Sequence, residues 1–298
     1  MPDPVILGTI GLDTIETPFG KRERILGGSA VYASFAASFF AKPGMVSIAG
    51  NDLPNKYEEL LKNKGIDLAG VERRGKTFAW EGYYEYDMSE AKTRKTELNS
   101  LMDFSGNVPE AYKDAQYLFL ANVDPEIQLT VHSQLRPKLT ILDTMNFWIE
   151  SKKDILIKAI GKADILIIND GEARMLFGTP HLVKAAKEAL TLGPAYIIIK
   201  KGEHGALLFS KGRIFSAPGY PLEDLIDPTG CGDTFGGAIV GWLAKTKDHS
   251  EQNLRKAIVY ASALASFNAQ DFSLNRMKAL SMGDIDERVQ SIRKMREF

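Results

Sequence analysis

Two apolar spacings alternate along the chain. Short, β-branched runs at Val5 to Ile10, Met45 to Ala49, Tyr117 to Ala121, Leu139 to Asp143, Ile165 to Asn169 and Tyr196 to Lys200 read as strands, most of them buried on both faces. Between them, Ala30 to Ala41, Asn55 to Lys64, Pro125 to Arg136, His181 to Thr191, Thr234 to Ala244 and Gln252 to Asn268 carry helical spacing. Strand and helix in alternation imply right-handed βαβ crossovers, a mainly parallel sheet and helices on both of its faces. The expected body is therefore a doubly wound α/β layer structure.

Residues 11 to 25 and 71 to 104 break this pattern. They are polar and aromatic, and the stretch TFAWEGYYEYD reads as a strand whose faces are not uniformly buried. We expect a small β-sheet there, placed like a lid over the ends of the parallel strands; an edge hairpin is the simpler alternative. No repeat, low-complexity tract or linker divides residues 1–298, so a single domain is expected.

Composition narrows the functional classes. The chain has 298 residues, 44% hydrophobic and 25% charged, which excludes disordered and collagen-like classes. With 37 Lys and Arg against 38 Asp and Glu, the net charge of -1 provides no basic field for nucleic acid or an anionic membrane. The lone Cys231 excludes an internal disulfide, and His132, His181, His204 and His249 are too scattered for a local metal motif. No apolar run approaches membrane-spanning length, and the first residues carry acid where a signal peptide carries base, so cytosolic residence is expected.

The most informative stretch is Asp227-Pro-Thr-Gly-Cys-Gly-Asp233, running into an amphipathic helix. A glycine-rich turn opening onto a helix directs the N–H groups of Gly230, Cys231 and Gly232 outward at the positive end of the helix dipole, which makes an anion site. Asp233 in the first turn competes with an anion for the same potential, so a general base facing a phosphoryl group explains the pair better than a helix start. The spacing also approaches a dinucleotide-binding turn, but no buried strand leads directly into it, and the Gly-Lys-Ser/Thr of a Walker loop is absent.

This motif resembles the Asp-Thr-x-Gly-x-Gly-Asp of the ribokinase family, the PfkB-type carbohydrate and nucleoside kinases. Gly8 with Asp13, Gly27-Gly28, Asn169-Asp-Gly-Glu172 and Gly202-Glu-His-Gly205 follow in that family's order. The resemblance implies a three-layer α/β/α ribokinase-like body with a small β lid, and transfer of the ATP γ-phosphoryl group to a hydroxymethyl group of a small sugar or nucleoside. Asp233 would be the catalytic base, and Gly230, Cys231 and Gly232 the anion hole. Asn169 and Glu172 would help to hold Mg²⁺, although Asn169, Asp170 and Glu172 equally suit a helix cap. Lys200, Gly202 and Gly205 would lie near the ATP phosphates; Lys200 stands where the family usually has Thr, and a cation there can pair with phosphate. Asp227 and Thr229 match positions whose carbonyls bind an activating K⁺ in several members, with Thr229 also near the nucleotide.

On the acceptor side, the resemblance assigns Asp13 to substrate hydroxyls and Gly27, Gly28 and Ser29 to a close backbone approach, with Asn146 near substrate or phosphate. Two departures weaken ribose itself as acceptor: Tyr32 replaces an Asn, and Ser29 a Lys. Tyr32, Phe78, Trp80 and Tyr83 suit either a stacking surface or a homodimer contact between lids. Arg22, Arg24, Arg73, Arg74 and Arg94 would be available to a sugar-phosphate acceptor. A non-catalytic nucleotide-binding or regulatory protein on a kinase fold is the alternative outside enzymes. Cys231, without a nearby His, reads as small-residue packing.

Overall fold

The computed structural model describes residues 2–297. Its thirteen strands are β1 (Val5–Leu7), β2 (Gly11–Thr17), β3 (Gly20–Gly27), β4 (Gly44–Ala49), β5 (Asp67–Arg73), β6 (Ala79–Tyr84), β7 (Ala91–Glu97), β8 (Tyr117–Leu120), β9 (Leu139–Asp143), β10 (Ile165–Asn169), β11 (Tyr196–Lys200), β12 (Ala206–Ser210) and β13 (Arg213–Ala217). Nine of them form one sheet in the order β13-β12-β11-β10-β9-β8-β1-β4-β5. From β11 to β5 every neighbour is parallel, and β12 and β13 add an antiparallel edge.

The period of two along each strand sends alternate side chains to opposite layers. Ile165 and Ile167 join the core under helices Ser29–Ala37, Cys231–Thr246 and Glu251–Asn268, whereas Leu166 and Ile168 join the core under helices Pro125–Gln134, Lys153–Ile160 and Leu182–Thr191. A strand that feeds two cores has no polar face, which is why these runs read as unbroken apolar sequence. The result is the three-layer α/β/α body with a smaller lid sheet.

That lid is the sheet β3-β2-β6-β7, in which β2 pairs β3 and β6 pairs β7 antiparallel while β2 and β6 run parallel. Its boundaries differ from the expected segments. Residues 71–73 belong to β5 of the large sheet, and Asn99–Asp103 is a 3-10 turn, while the first segment continues to Gly27. The first strand also ends early, at Leu7 rather than Ile10. A Cβ on Gly8 would lie 2.8 Å from the Ala30 backbone nitrogen, so the helix start presses on the chain here and diverts it from one sheet into the other.

The chain leaves β1 toward β4 on one side and returns to β8 on the other, so the order reverses beside β1. Ligands of open α/β sheets bind outside the carboxyl ends of the strands at such a reversal. Two helices begin there side by side. All nine residues of Ser29–Ala37 are buried, and Gly237 and Gly241 of Cys231–Thr246 meet its Ala33 and Ala37 so closely that a Cβ on Gly237 would overlap the Ala33 backbone. Close helix contact through small residues keeps both N-termini at the same end of the sheet. No helix among the described residues is long and apolar enough to cross a membrane.

Candidate active site

Helix Cys231–Thr246 starts at Gly230, whose φ of +75° is left-handed and whose Cβ position overlaps the Tyr32 ring. Only glycine fits there without strain. The loop before it is tied down: Asp227 Oδ1 accepts from the Thr229 N–H at 2.9 Å, and the Asn268 amide donates to the Thr229 carbonyl at 2.8 Å. Cys231 is packed, its thiol donating to the Ala265 carbonyl at 3.4 Å, and burial pushes the thiol up to about 12. That is the chemistry of a filler, not a nucleophile.

Asp233 follows in the first helical turn, partly covered. Burial and the Asp143 charge push its carboxyl up to about 7, and Lys200 pulls in the other direction. A carboxyl poised near neutral pH suits a general base. Lys200 itself is not free: its Nζ donates to Asp143 Oδ2 at 2.8 Å and to Oδ1 at 3.1 Å, with both side chains largely buried. A Cβ on Gly232 would lie 3.1 Å from that ammonium, which places it against the anion loop.

Asn169 and Glu172 form the reciprocal cap that their spacing allows. Asn169 Oδ1 accepts from the Glu172 N–H at 2.8 Å, and Glu172 Oε2 from the Asn169 N–H at 2.7 Å. Burial pushes Glu172 up to about 7, against the pull of Lys200. Gly202 and Gly205 both take positive φ in the turn between β11 and β12, and Gly205 packs against residues 217–219. Asn146 is not brought into this cluster: it is exposed at the start of helix Asn146–Ser151 and accepts from the Phe147 N–H at 2.9 Å.

On the lid side, Asp13 lies in β2 and is 4% exposed. Burial, then the charges of Asp227 and Asp233, push it up to about 7. Gly27 faces it so closely that a Cβ would collide with the carboxylate. Gly28, at φ +100°, precedes the helix, and Ser29 is used structurally: its hydroxyl donates to the Asn122 carbonyl at 2.8 Å and accepts from the Thr9 N–H at 2.9 Å. Asp13 Oδ1, Tyr32 Oη and Asp227 Oδ2 are buried without a protein partner among the described residues.

The lid closes on the loop through Tyr84, whose phenol shares a 3.1 Å hydrogen bond with the Thr229 hydroxyl. Strand alternation places Trp80 on the same face of β6, and Phe78 just before the strand continues that spacing. The Phe78 ring and Asp13 Oδ1 both lie within 3.1 Å of the Cβ position of Gly11, so aromatic surface and carboxylate are neighbours. Tyr83 points the other way and stacks under Arg94. The arginines are engaged singly around the surface: Arg24 with Asp52, Arg73 with Glu58, Arg74 with Asp103, Arg94 with Glu16, and Arg22 over Phe272.

Asp143 and Tyr84 were not singled out by sequence reasoning. Asp143 had a signal, an acid at the carboxyl end of a buried parallel strand, but Asn146 three residues later drew the reading. Tyr84 had none, because its value depends on the lid folding over Thr229.

Comparison with known proteins decides the lineage. The model of the pfkB family of carbohydrate kinases matches residues 19–279. The chain belongs to that family. Among curated pfkB relatives, it is 30% identical to a cytidine kinase of Thermococcus kodakarensis over 84% of this chain and 92% of that one. Among solved structures, a nucleoside kinase of Methanocaldococcus jannaschii superposes with a TM-score of 0.79 at 19% identity, covering 97% of this chain and 99% of that one. A putative ribokinase II of E. coli in complex with ATP and Mg²⁺ gives 0.80 at 18% identity, covering 98% and 100%. Phosphoryl transfer from ATP to a sugar or nucleoside hydroxyl is the chemistry of this family.

Proposed function

We propose that this protein transfers the γ-phosphoryl group of MgATP to the hydroxymethyl group of a nucleoside. The observation that carries the choice of acceptor is the pairing of Asp13 with the Phe78 ring on a lid face that also bears Trp80. A carboxylate that accepts from sugar hydroxyls beside an aromatic surface suits an acceptor with both a sugar and a base. The cytidine kinase relative, similar over most of both chains, supports the same reading. A bare sugar would leave the aromatic face without a partner. A sugar phosphate would require basic groups converging on one point, and the arginines are instead engaged apart, Arg24, Arg73, Arg74 and Arg94 with separate acids and Arg22 over Phe272.

In this reading Asp13 holds the sugar hydroxyls and Asp233 takes the proton from the attacking hydroxyl. The N–H groups of Gly230, Cys231 and Gly232 receive the oxygens of the transferred group, where charge accumulates in a loose transition state. Lid closure through Tyr84 excludes water that would otherwise accept the phosphoryl group. Glu172, with one oxygen spent on its cap, fits a water-mediated hold on Mg²⁺ arriving with the nucleotide; burial pushes its carboxyl up to about 7, and a nearby divalent cation would favour the ionised form. Bound there, the metal would supply charge neutralisation for the transferred group. The buried, unpartnered oxygens Asp227 Oδ2 and Asn268 Oδ1 fit a monovalent cation behind the loop.

The test is product analysis after incubation with MgATP and a panel of nucleosides, pentoses, hexoses and their phosphates. A nucleoside should gain one phosphate on its hydroxymethyl oxygen. Phosphate gained by a bare sugar or a sugar phosphate instead, with nucleosides untouched, would reject the acceptor.

A further inference from the structure

Lys200 sits in a place that stability does not explain. It ends β11, and Asp143 ends β9, with β10 between them; the lysine side chain reaches across the end of the middle strand to make both bonds to Asp143. Burying an ion pair is at best close to neutral for folding when compared with apolar side chains of similar size. This one also carries its ammonium against Gly232, at the end of the helix where the backbone dipole is positive and a cation is disfavoured. The same position is favourable once an anion occupies the loop.

An ammonium has three donors. Asp143 takes two, one on each carboxylate oxygen, and is itself fixed by the Thr144 N–H, which donates to Oδ1 at 2.9 Å. The third N–H remains for the space beside Gly232. We infer that Asp143 is a positioning residue that aims this remaining donor of Lys200 at the γ-phosphoryl group held in the anion loop. The inference rests on the kinase reading. The groups around the ammonium are Asp143 from β9, Glu172 from helix Asp170–Phe177 and Asp233 from helix Cys231–Thr246, all acids, so the lysine keeps its charge while the site waits for nucleotide. The contact discriminates the triphosphate from the diphosphate, because ADP has no group at that position.

The experiment is calorimetric titration of the full chain with MgADP and with Mg²⁺ and the β,γ-imido analogue of ATP. Wild type is compared with the double substitution Lys200→Met with Asp143→Leu, which removes both members of the ion pair together, and with Asp143→Asn, which keeps the ammonium but loosens its aim. The wild-type preference for triphosphate over diphosphate should fall by about tenfold or more in the double variant, with ADP affinity within about twofold. In Asp143→Asn it should fall at least about threefold. An unchanged preference in a folded double variant overturns the role of Lys200. If the double variant does not fold, Asp143→Asn decides: an unchanged or greater preference there overturns the positioning role of Asp143. Absence of nucleotide binding by wild type overturns the kinase reading itself, and the inference with it.

Discussion

The phenol of Tyr84, on the lid, and the hydroxyl of Thr229, at the start of the anion loop, meet at 3.1 Å although 145 residues separate them in sequence. Through this bond the lid sheet and the glycine turn proposed to bind phosphate share one anchor. Removing it by Tyr84→Phe costs about 1 kcal/mol of lid closure, the usual worth of one neutral hydrogen bond. The expected outcome is a rise of about fivefold in acceptor KM with a change of under about 3 °C in Tm. Steady-state kinetics with thermal melting checks it; an unchanged KM would separate the lid contact from acceptor binding.

Asp233 titrates at a higher pH than an ordinary carboxylate, at about 7, because burial and Asp143 disfavour its charge. As the base it must be ionised, so kcat/KM should rise about tenfold per pH unit below 7 and level off above it. A profile that stays flat from pH 5.5 to 8 would remove Asp233 from the proton transfer.

The same crowding of acids sets the stability of the ligand-free protein. Burial raises Asp13, Glu172 and Asp233 to about 7 and Asp227 to about 6, whereas the unfolded chain titrates them near ordinary carboxylate values. Between about pH 4 and 7 the folded state holds more protons than the unfolded one, so its stability falls as pH rises through that window and flattens above it. Melting curves without nucleotide should show Tm falling from pH 5 to pH 7. Asp233→Asn, which removes one of these charges, should raise Tm at pH 7.5 while lowering turnover by about 10² to 10⁴. A lower Tm for that variant would mean that the carboxylate is structurally favourable where it stands.

Much of this architecture is legible in the chain. The strands β9, β10 and β11 follow the bounds that their apolar runs predict, because a strand buried on both faces leaves no ambiguity of period. The lid is harder to delimit: polar strands such as Ala91–Glu97, every residue of which is exposed, carry little periodic signal, and β5 has too few buried positions to mark it as part of the large sheet. At the site, the Asp227-to-Asp233 loop is readable because its glycines answer to local backbone geometry. Asp143 is readable only in part: an acid closing a buried strand is visible in the chain, but its partner is a lysine 57 residues away whose side chain crosses β10.

Gly27 gives a prediction that the sequence alone states only as a glycine pair. Its missing side chain leaves room for the Asp13 carboxylate, and a methyl group would occupy that space. Gly27→Ala should displace Asp13 and raise acceptor KM by about tenfold or more, with nucleotide affinity little changed. Parallel loss of ATP affinity would point to a collapse of the helix start at Ser29 instead.

The most direct measurement is ADP release from MgATP in the presence of a nucleoside, its bare pentose, or neither, for wild type and Asp233→Asn. Release by wild type should depend on the nucleoside, exceed that with the pentose, and fall by about 10² to 10⁴ in the variant, the range for loss of a general base. Release that proceeds equally without acceptor, or survives the substitution, would contradict the account.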